Sequence, residues 1–195
     1  MDEIMEPVLI EQFFLGCLAH ASYIVASEGV AAVIDPQRDV DLYLDFAREN
    51  NLRIEHIIES HLHADFVSGH HELAERTGAT IYLGVGSGAT FPHRAVGDGG
   101  TIEFGQCRIE FLHTPGHTEG SVCLYFPAEK LLIAGDTLFA RSIGRTDLPG
   151  GSFEKIMRSL HDRILTLPDD TVVIPGHGPR TTIGEEKEEN PFLIR

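Results

Sequence analysis

Four apolar runs in this sequence each lead into a residue that can bind a metal ion. "RIEHIIES" runs into His61 and His63, "RIEFLHTPG" into His117, "KLLIAG" into Asp136 and "TVVIPG" into His177. Imidazole and carboxylate donors together suit zinc, iron and similar divalent ions. Gly116, Gly135 and Gly176 stand directly before three of these residues. A residue without a side chain lets the backbone turn sharply and approach a bound group. His and Asp are common in loops, so one such exit means little. Four in one chain point to a metal site. The stretch "HLHADF" (61–66) adds Asp65, which is either a further participant or the N-cap of a following helix. It then places Phe66, which cannot bind a cation, where another donor would be convenient.

Such residues meet only if their strands end at a common edge, a frequent location for sites in α/β proteins. Short runs rich in branched and aromatic residues between turn signals predict strands over 8–15, 22–26, 30–34 and 53–60. "TIYLG", "TIEFG", "RIEFLHT", "SVCLYF", "KLLIAG" and "TVVIPG" continue the series. Apolar residues at helical spacing predict helices over 39–51, 66–78 and 152–167. The tail "GEEKEENPFLIR" reads as a solvated helix whose end packs back. Many strands with a few helices predict stacked sheets with helices outside, in a single domain over 1–195.

The chain carries 30 acidic and 15 basic residues, a net charge of -15. That field repels phosphate backbones and no basic stretch offsets it, so nucleic acid is excluded as the expected partner. Cys17, Cys107 and Cys123 form no paired motif, which fits a reducing compartment. The start "MDEIMEP" lacks the features of a signal peptide, and no apolar run approaches the roughly 20 residues that span a bilayer. A cytoplasmic protein without membrane contact is expected.

The motifs "HLHAD" (61–65), "TPGHTEGSVCLY" (114–125), "AGDTLF" (134–139) and "PGHG" (175–178) resemble the metallo-β-lactamase superfamily, in order and over nearly the whole chain. The resemblance implies an α/β fold, a four-layer αββα sandwich with the metal at one edge. Two related branches match different parts. "GCLAHASY" (16–23), "AVIDPQRDVD" (32–41) and "HLHADFVSGHHELAERTGA" (61–79) resemble persulfide dioxygenases. "GDTLFARSIGRTDLPGG" (135–151) and the stretch from "PGHGPRTTIGEE" to "NPFL" resemble glyoxalase II-like thioesterases.

A two-metal member of the superfamily would hold its first metal with His61, His63, His117 and Asp136. It would hold the second with Asp65, position 66, Asp136 and His177, and Phe66 removes one of those donors. The dioxygenase branch implies one Fe(II) per chain on His61, His117 and Asp136, the two-histidine, one-carboxylate arrangement of non-haem iron oxygenases. His63, Asp65 and His177 remain as further ligands. Asp65 and His63 are the residues expected to assist catalysis, Asp65 by orienting a ligand histidine or a metal-bound water. The implied reaction oxidises glutathione persulfide or a similar low-molecular-weight persulfide with O₂ to sulfite and thiol. The alternative is hydrolysis of S-acylglutathione or a related thioester, with zinc in place of iron. Arg145, and more weakly Arg141, are candidates to clamp a substrate carboxylate, and an Arg145–Asp147 ion pair is the competing role for Arg145. His70 and His71 are expected to be surface or packing residues, and His20, His56, His93, His113 and His161 structural ones. Cys17 is expected to be a small buried thiol. No rhodanese domain is read in the sequence, so any sulfur-transfer partner is expected to be a separate protein, with a rhodanese as the candidate, or to be absent. A homodimer is left open.

Overall fold

The computed structural model describes residues 8–15, 20–63 and 67–194; Cys17, Asp65 and Phe66 lie outside them. The apolar runs pair into two six-stranded sheets. The first contains β1 (Leu9–Leu15), β2 (His20–Ser27), β3 (Val30–Ile34), β4 (Arg53–Ile58), β5 (Thr80–Gly84) and β6 (Arg94–Val96), side by side in that order. The second contains β7 (Thr101–Phe104), β8 (Cys107–His113), β9 (Val122–Phe126), β10 (Leu131–Gly135), β13 (Val172–Pro175) and β14 (Thr181–Thr182). Its spatial order is β14-β13-β10-β9-β8-β7. A small hairpin of β11 (Leu138–Phe139) and β12 (Ser142–Ile143) follows β10. The helices are α1 (Asp41–Glu49), α2 (His70–Thr77), α3 (Phe153–Ser159) and α4 (Ile183–Glu189).

Strands covered on both faces read as continuous apolar runs. In β2, β5 and β10 almost every residue is buried, one face toward the other sheet and one toward helices. Val25, Ile34, Ile58, Phe111, Leu124 and Ile133 fill the space between the sheets. Tyr43, Ala47 and Leu73 of α1 and α2 pack with Ile24, Val33, Ile57 and Leu83 on the outer face of the first sheet. Ile156, Leu160 and Ile183 pack with Leu132, Cys123 and Val173 on the outer face of the second. The layers run helix, sheet, sheet, helix, so the chain forms the αββα sandwich.

Three departures from the sequence reading have local causes. β6, β11, β12 and β14 are two or three residues long, too short to show an alternating pattern. α2 opens at His70 rather than at 66, because the Gly69 N–H is held by the Pro36 carbonyl at 3.0 Å. α3 is capped by Ser152, whose hydroxyl accepts from the Lys155 N–H, and passes into a π turn over Leu160–Ile164.

Strand direction gathers the site. β3 and β4 run parallel, as do β10 and β13. β8 is antiparallel to β9, which is antiparallel to β10, so β8 also exits toward the same end. Two backbone bonds join the sheets there: Ala21 N–H to the Gly176 carbonyl at 3.2 Å and Val122 N–H to the Ser60 carbonyl at 2.8 Å. No helix among the described residues is long and apolar enough to cross a membrane.

Candidate metal centre

His61 follows β4, His117 lies in the turn between β8 and β9, and Asp136 directly follows β10. The structure brings these three together, with one donor atom from each within 4.8 Å of the others. His117 Nε2 stands 3.8 Å from Asp136 Oδ2. Each donor is held from behind. The Nδ1–H of His117 donates to the Arg145 carbonyl at 2.9 Å, which leaves the Nε2 lone pair for the centre. His61 Nδ1 is 2.9 Å from the Ser60 hydroxyl. Asp136 Oδ1 accepts from the Nδ1–H of His177 at 3.0 Å. Two glycines make the approach possible. Gly135 has φ 49°, and a Cβ there would fall 2.6 Å from Ser60 Oγ. A Cβ on Gly176 would fall 2.5 Å from Asp136 Oδ1. Two imidazoles and a carboxylate, oriented by partners on their far sides, fit a divalent metal ion.

Behind this cluster lies a buried charged network that the sequence reading did not find. His63 Nε2 is 3.2 Å from Asp35 Oδ1 and 3.0 Å from Glu59 Oε2. Asp35 Oδ1 also accepts the Ser60 N–H at 2.6 Å, and the Asp35 carbonyl accepts from His20 Nε2 at 2.9 Å. Glu59 Oε1 is 2.9 Å from His70 Nδ1. Burial alone opposes charge on His63, but the Asp35 and Glu59 carboxylates outweigh it and raise its pKa to about 10. Glu59 is likewise buried, and its contacts with His63 and His70 hold it down at about 2. Asp35, Glu59 and His63 are also spaced as a metal-binding group. The raised pKa of His63 favours its imidazolium form between these two carboxylates.

His61 behaves in the opposite way. Burial, then the charge on His63, lowers its pKa to about 3. Burial of Asp136 favours its neutral form, yet the His177 bond and the neighbouring imidazoles lower it to about 2. The metal-free chain therefore has two opposed limbs of stability. His63 is raised, so its contribution is complete below about 6.5 and is lost as pH climbs toward 10. His61 is depressed, so stability falls as pH drops from about 6.5 toward 3, with Glu59 and Asp136 adding to the loss from about 4 down to about 2. Urea unfolding of metal-free protein across this range should give maximum stability near pH 6.5, and His63→Gln should flatten the alkaline limb. A maximum that stays on the alkaline side would contradict a charged His63.

The other sequence candidates fall in different places. His177 joins the centre through Asp136. The Arg145 guanidinium makes two bonds to Asp147, at 3.0 and 2.9 Å, so only its carbonyl meets the centre. Arg141 faces α4, where its N–H meets the Glu186 carboxylate and its guanidinium pairs with Glu189. His70, expected as surface or packing, is buried against Glu59 and stacked on Phe91. His20 is buried with its ring 5.5 Å from that of His63. A signal for Asp35 and Glu59 was present: each is an acid at the end of a strongly apolar strand, a position acids rarely occupy without a buried partner. Beside His117 opens a cavity of about 470 Å³ with Leu62, Leu148 and Pro149 among its walls.

Residues 15–177 match the description of the metallo-beta-lactamase superfamily. The chain belongs to that superfamily. Metallo-beta-lactamase superfamily members bind divalent metals, and the cluster at the sandwich edge supplies donors of that kind. ETHE1 from Myxococcus xanthus is 34% identical and superposes with a TM-score of 0.88, covering 94% of this chain and 83% of its own. TTHA1623, solved in a di-iron-bound form, is 31% identical with a TM-score of 0.82, covering 94% of this chain and all of its own. GloC, a hydroxyacylglutathione hydrolase of Haemophilus influenzae, is 32% identical over 89% of this chain and 92% of its own. The resemblance to the persulfide dioxygenase and glyoxalase II-like branch of the superfamily stands.

Proposed function

We propose that this chain is a mononuclear non-haem iron dioxygenase that converts a low-molecular-weight persulfide such as glutathione persulfide, with O₂ and water, to sulfite and the free thiol. The observation that carries the reading is the cluster of His61, His117 and Asp136, two imidazoles and one carboxylate within 4.8 Å. The sequence supports one metal rather than two, since position 66, which would give a second-site donor in a two-metal member, is Phe66. His63 Nε2, a first-site ligand in that scheme, faces Asp35 and Glu59. The likeness to ETHE1 supports the dioxygenase branch, and the likeness to TTHA1623, solved in a di-iron-bound form, supports iron as the metal.

Bound iron supplies the one-electron chemistry with O₂ that no side chain provides. The chain's own part is to hold and to shield. Arg145 and Ser60 fix the ring directions of His117 and His61, and His177 fixes the Asp136 carboxylate. The cavity beside His117 takes the persulfide, with Leu62, Leu148 and Pro149 keeping water from it. Asp65 and His63 are the residues assigned to assist catalysis in this scheme. Arg145 reaches a substrate carboxylate by exchanging it for Asp147, an exposed pair that is worth little and is easily released.

A second reading, metal-dependent hydrolysis of S-acylglutathione, is favoured by the relative GloC. The two are separated on an oxygen electrode with anaerobically iron-loaded protein. O₂ uptake matched by sulfite on addition of glutathione persulfide is the expected result. No uptake, together with turnover of S-lactoylglutathione, would transfer the assignment to the thioesterase.

A further inference from the structure

The cavity beside His117 carries one charge that the metal cluster does not use. Among the described residues that line its space of about 470 Å³, Glu119 is the one carboxylate, and none is a lysine or an arginine. We propose that Glu119 is a specificity-determining residue: its carboxylate receives the ammonium group of the substrate, so the cavity takes amino-acid or peptide thiols and rejects thiols that carry phosphate. This deepens the function proposed above, and it rests on that reading for the entry of a thiol into the cavity, not for the reaction that follows.

Glu119 is held at a set point two residues after His117. Its carbonyl accepts from His113 Nε2 at 2.9 Å. The neighbouring Thr118 carbonyl accepts the Gly116 N–H at 3.1 Å, and the Thr118 N–H donates to the Ser121 hydroxyl at 3.1 Å. Gly120 lies so close to Ser87, another residue of the wall, that a Cβ on it would fall 2.4 Å from the Ser87 Cα. The Glu119 side chain is about half exposed and pairs with Lys155 of α3, which is exposed to a similar degree.

That pair is not what fastens the loop to α3. The Ser152 N–H donates to the Gly116 carbonyl and the Ser159 hydroxyl to the Pro115 carbonyl, each at 2.8 Å. An exposed ion pair adds little to such a connection and is easily exchanged. A substrate ammonium is a cation of the same kind as Lys155 Nζ and can replace it without leaving a charge unmatched. A phosphate meets the opposite situation. No basic side chain on the described wall neutralises it, Glu119 repels it, and the net charge of -15 adds to the repulsion. Leu62, Leu148 and Pro149 give apolar contact that does not distinguish charged heads, so the choice falls to Glu119. Asp147, which holds the Arg145 guanidinium, directly precedes Leu148 of the wall. Two exchangeable pairs thus stand at one cavity, one suited to an ammonium and one to a carboxylate, the two charges of an amino-acid head.

The test titrates glutathione, N-acetylglutathione and coenzyme A into the Co(II)-loaded chain without oxygen, following the thiolate-to-cobalt absorption band. The first two differ only at the ammonium group, and the third carries phosphates. Glutathione should bind roughly fivefold more tightly than N-acetylglutathione, the size of a partly exposed ion pair, with coenzyme A weaker than both. Glu119→Gln should remove that preference and leave N-acetylglutathione within about twofold of the parent. Lys155→Ala should tighten glutathione alone, because it removes the competing cation; a purely structural Glu119–Lys155 pair would give no such gain. Equal affinity of the parent for the first two thiols, or an equal loss for both in Glu119→Gln, would overturn the proposal. A parent that shows no band with any of the three would overturn it as well. Oxygen uptake with glutathione persulfide, recorded separately, tells the two failures apart: the preference without uptake overturns the dioxygenase and leaves Glu119 in its role.

Discussion

Replacing His117 by alanine is expected to remove iron and O₂ uptake together. The side chain is one of two imidazoles in the cluster, 8% exposed, and its Nδ1–H is already spent on the Arg145 carbonyl. Without it the centre keeps one imidazole and one carboxylate, too few to fix an open iron site. Loss of an outer partner alone lowers metal affinity by roughly 10–100-fold, so loss of the ligand should exceed that. The freed Arg145 carbonyl takes up water in the space vacated by the ring, and the fold has no reason to collapse. Iron per chain after desalting and the oxygen-electrode rate should fall in step, with Asp136→Ala giving the same result. A His117→Ala protein that keeps its iron would move the metal to the second donor group, Asp35, Glu59 and His63.

Asp35→Ala should be the most destabilising change near the site. Its carboxylate accepts the Ser60 N–H at 2.6 Å and faces His63 at 3.2 Å, with the residue 2% exposed. Removing one partner of a buried charged pair costs about 3–5 kcal/mol, because the other is left without compensation. For a chain of this size each kcal/mol moves the melting temperature by roughly 2–4 °C, so a fall of about 10 °C is expected. Asp35 also sits at φ 49°, a conformation asparagine tolerates better than alanine. Asp35→Asn retains an oxygen for Ser60 and should lose about half as much, consistent with a neutral acceptor in place of a charged one. Thermal unfolding of the two metal-free variants reads this directly. Equal melting temperatures would mean that the carboxylate holds nothing in place.

How much of this could be read beforehand depends on what the sequence repeats. The strands that exit at His61, His117, Asp136 and His177 are long apolar runs, and their ends put ligand-type residues in plain view. The layered fold follows from the same runs. Asp35 and Glu59 escaped because each is a single acid whose meaning depends on a partner far along the chain. His63 lies 28 residues from Asp35, and no local pattern joins them. Arg145 was weighed as a clamp through its guanidinium, whereas its backbone carbonyl is the atom that meets the centre. Backbone roles leave no trace in residue type. Asp65 and Phe66 lie outside the described residues.

The two sheets divide the chain almost cleanly. The first is built from residues between Leu9 and Val96, the second from residues between Thr101 and Thr182. His61 belongs to the first half, while His117 and Asp136 belong to the second. The cluster of His61, His117 and Asp136 is thus drawn from both halves, and an ion bound there would act as a rivet across the seam. Its grip therefore measures how well the halves fit. A poorly filled interior at Phe111 or Leu124, in the core between the sheets, would be read out as a looser rivet.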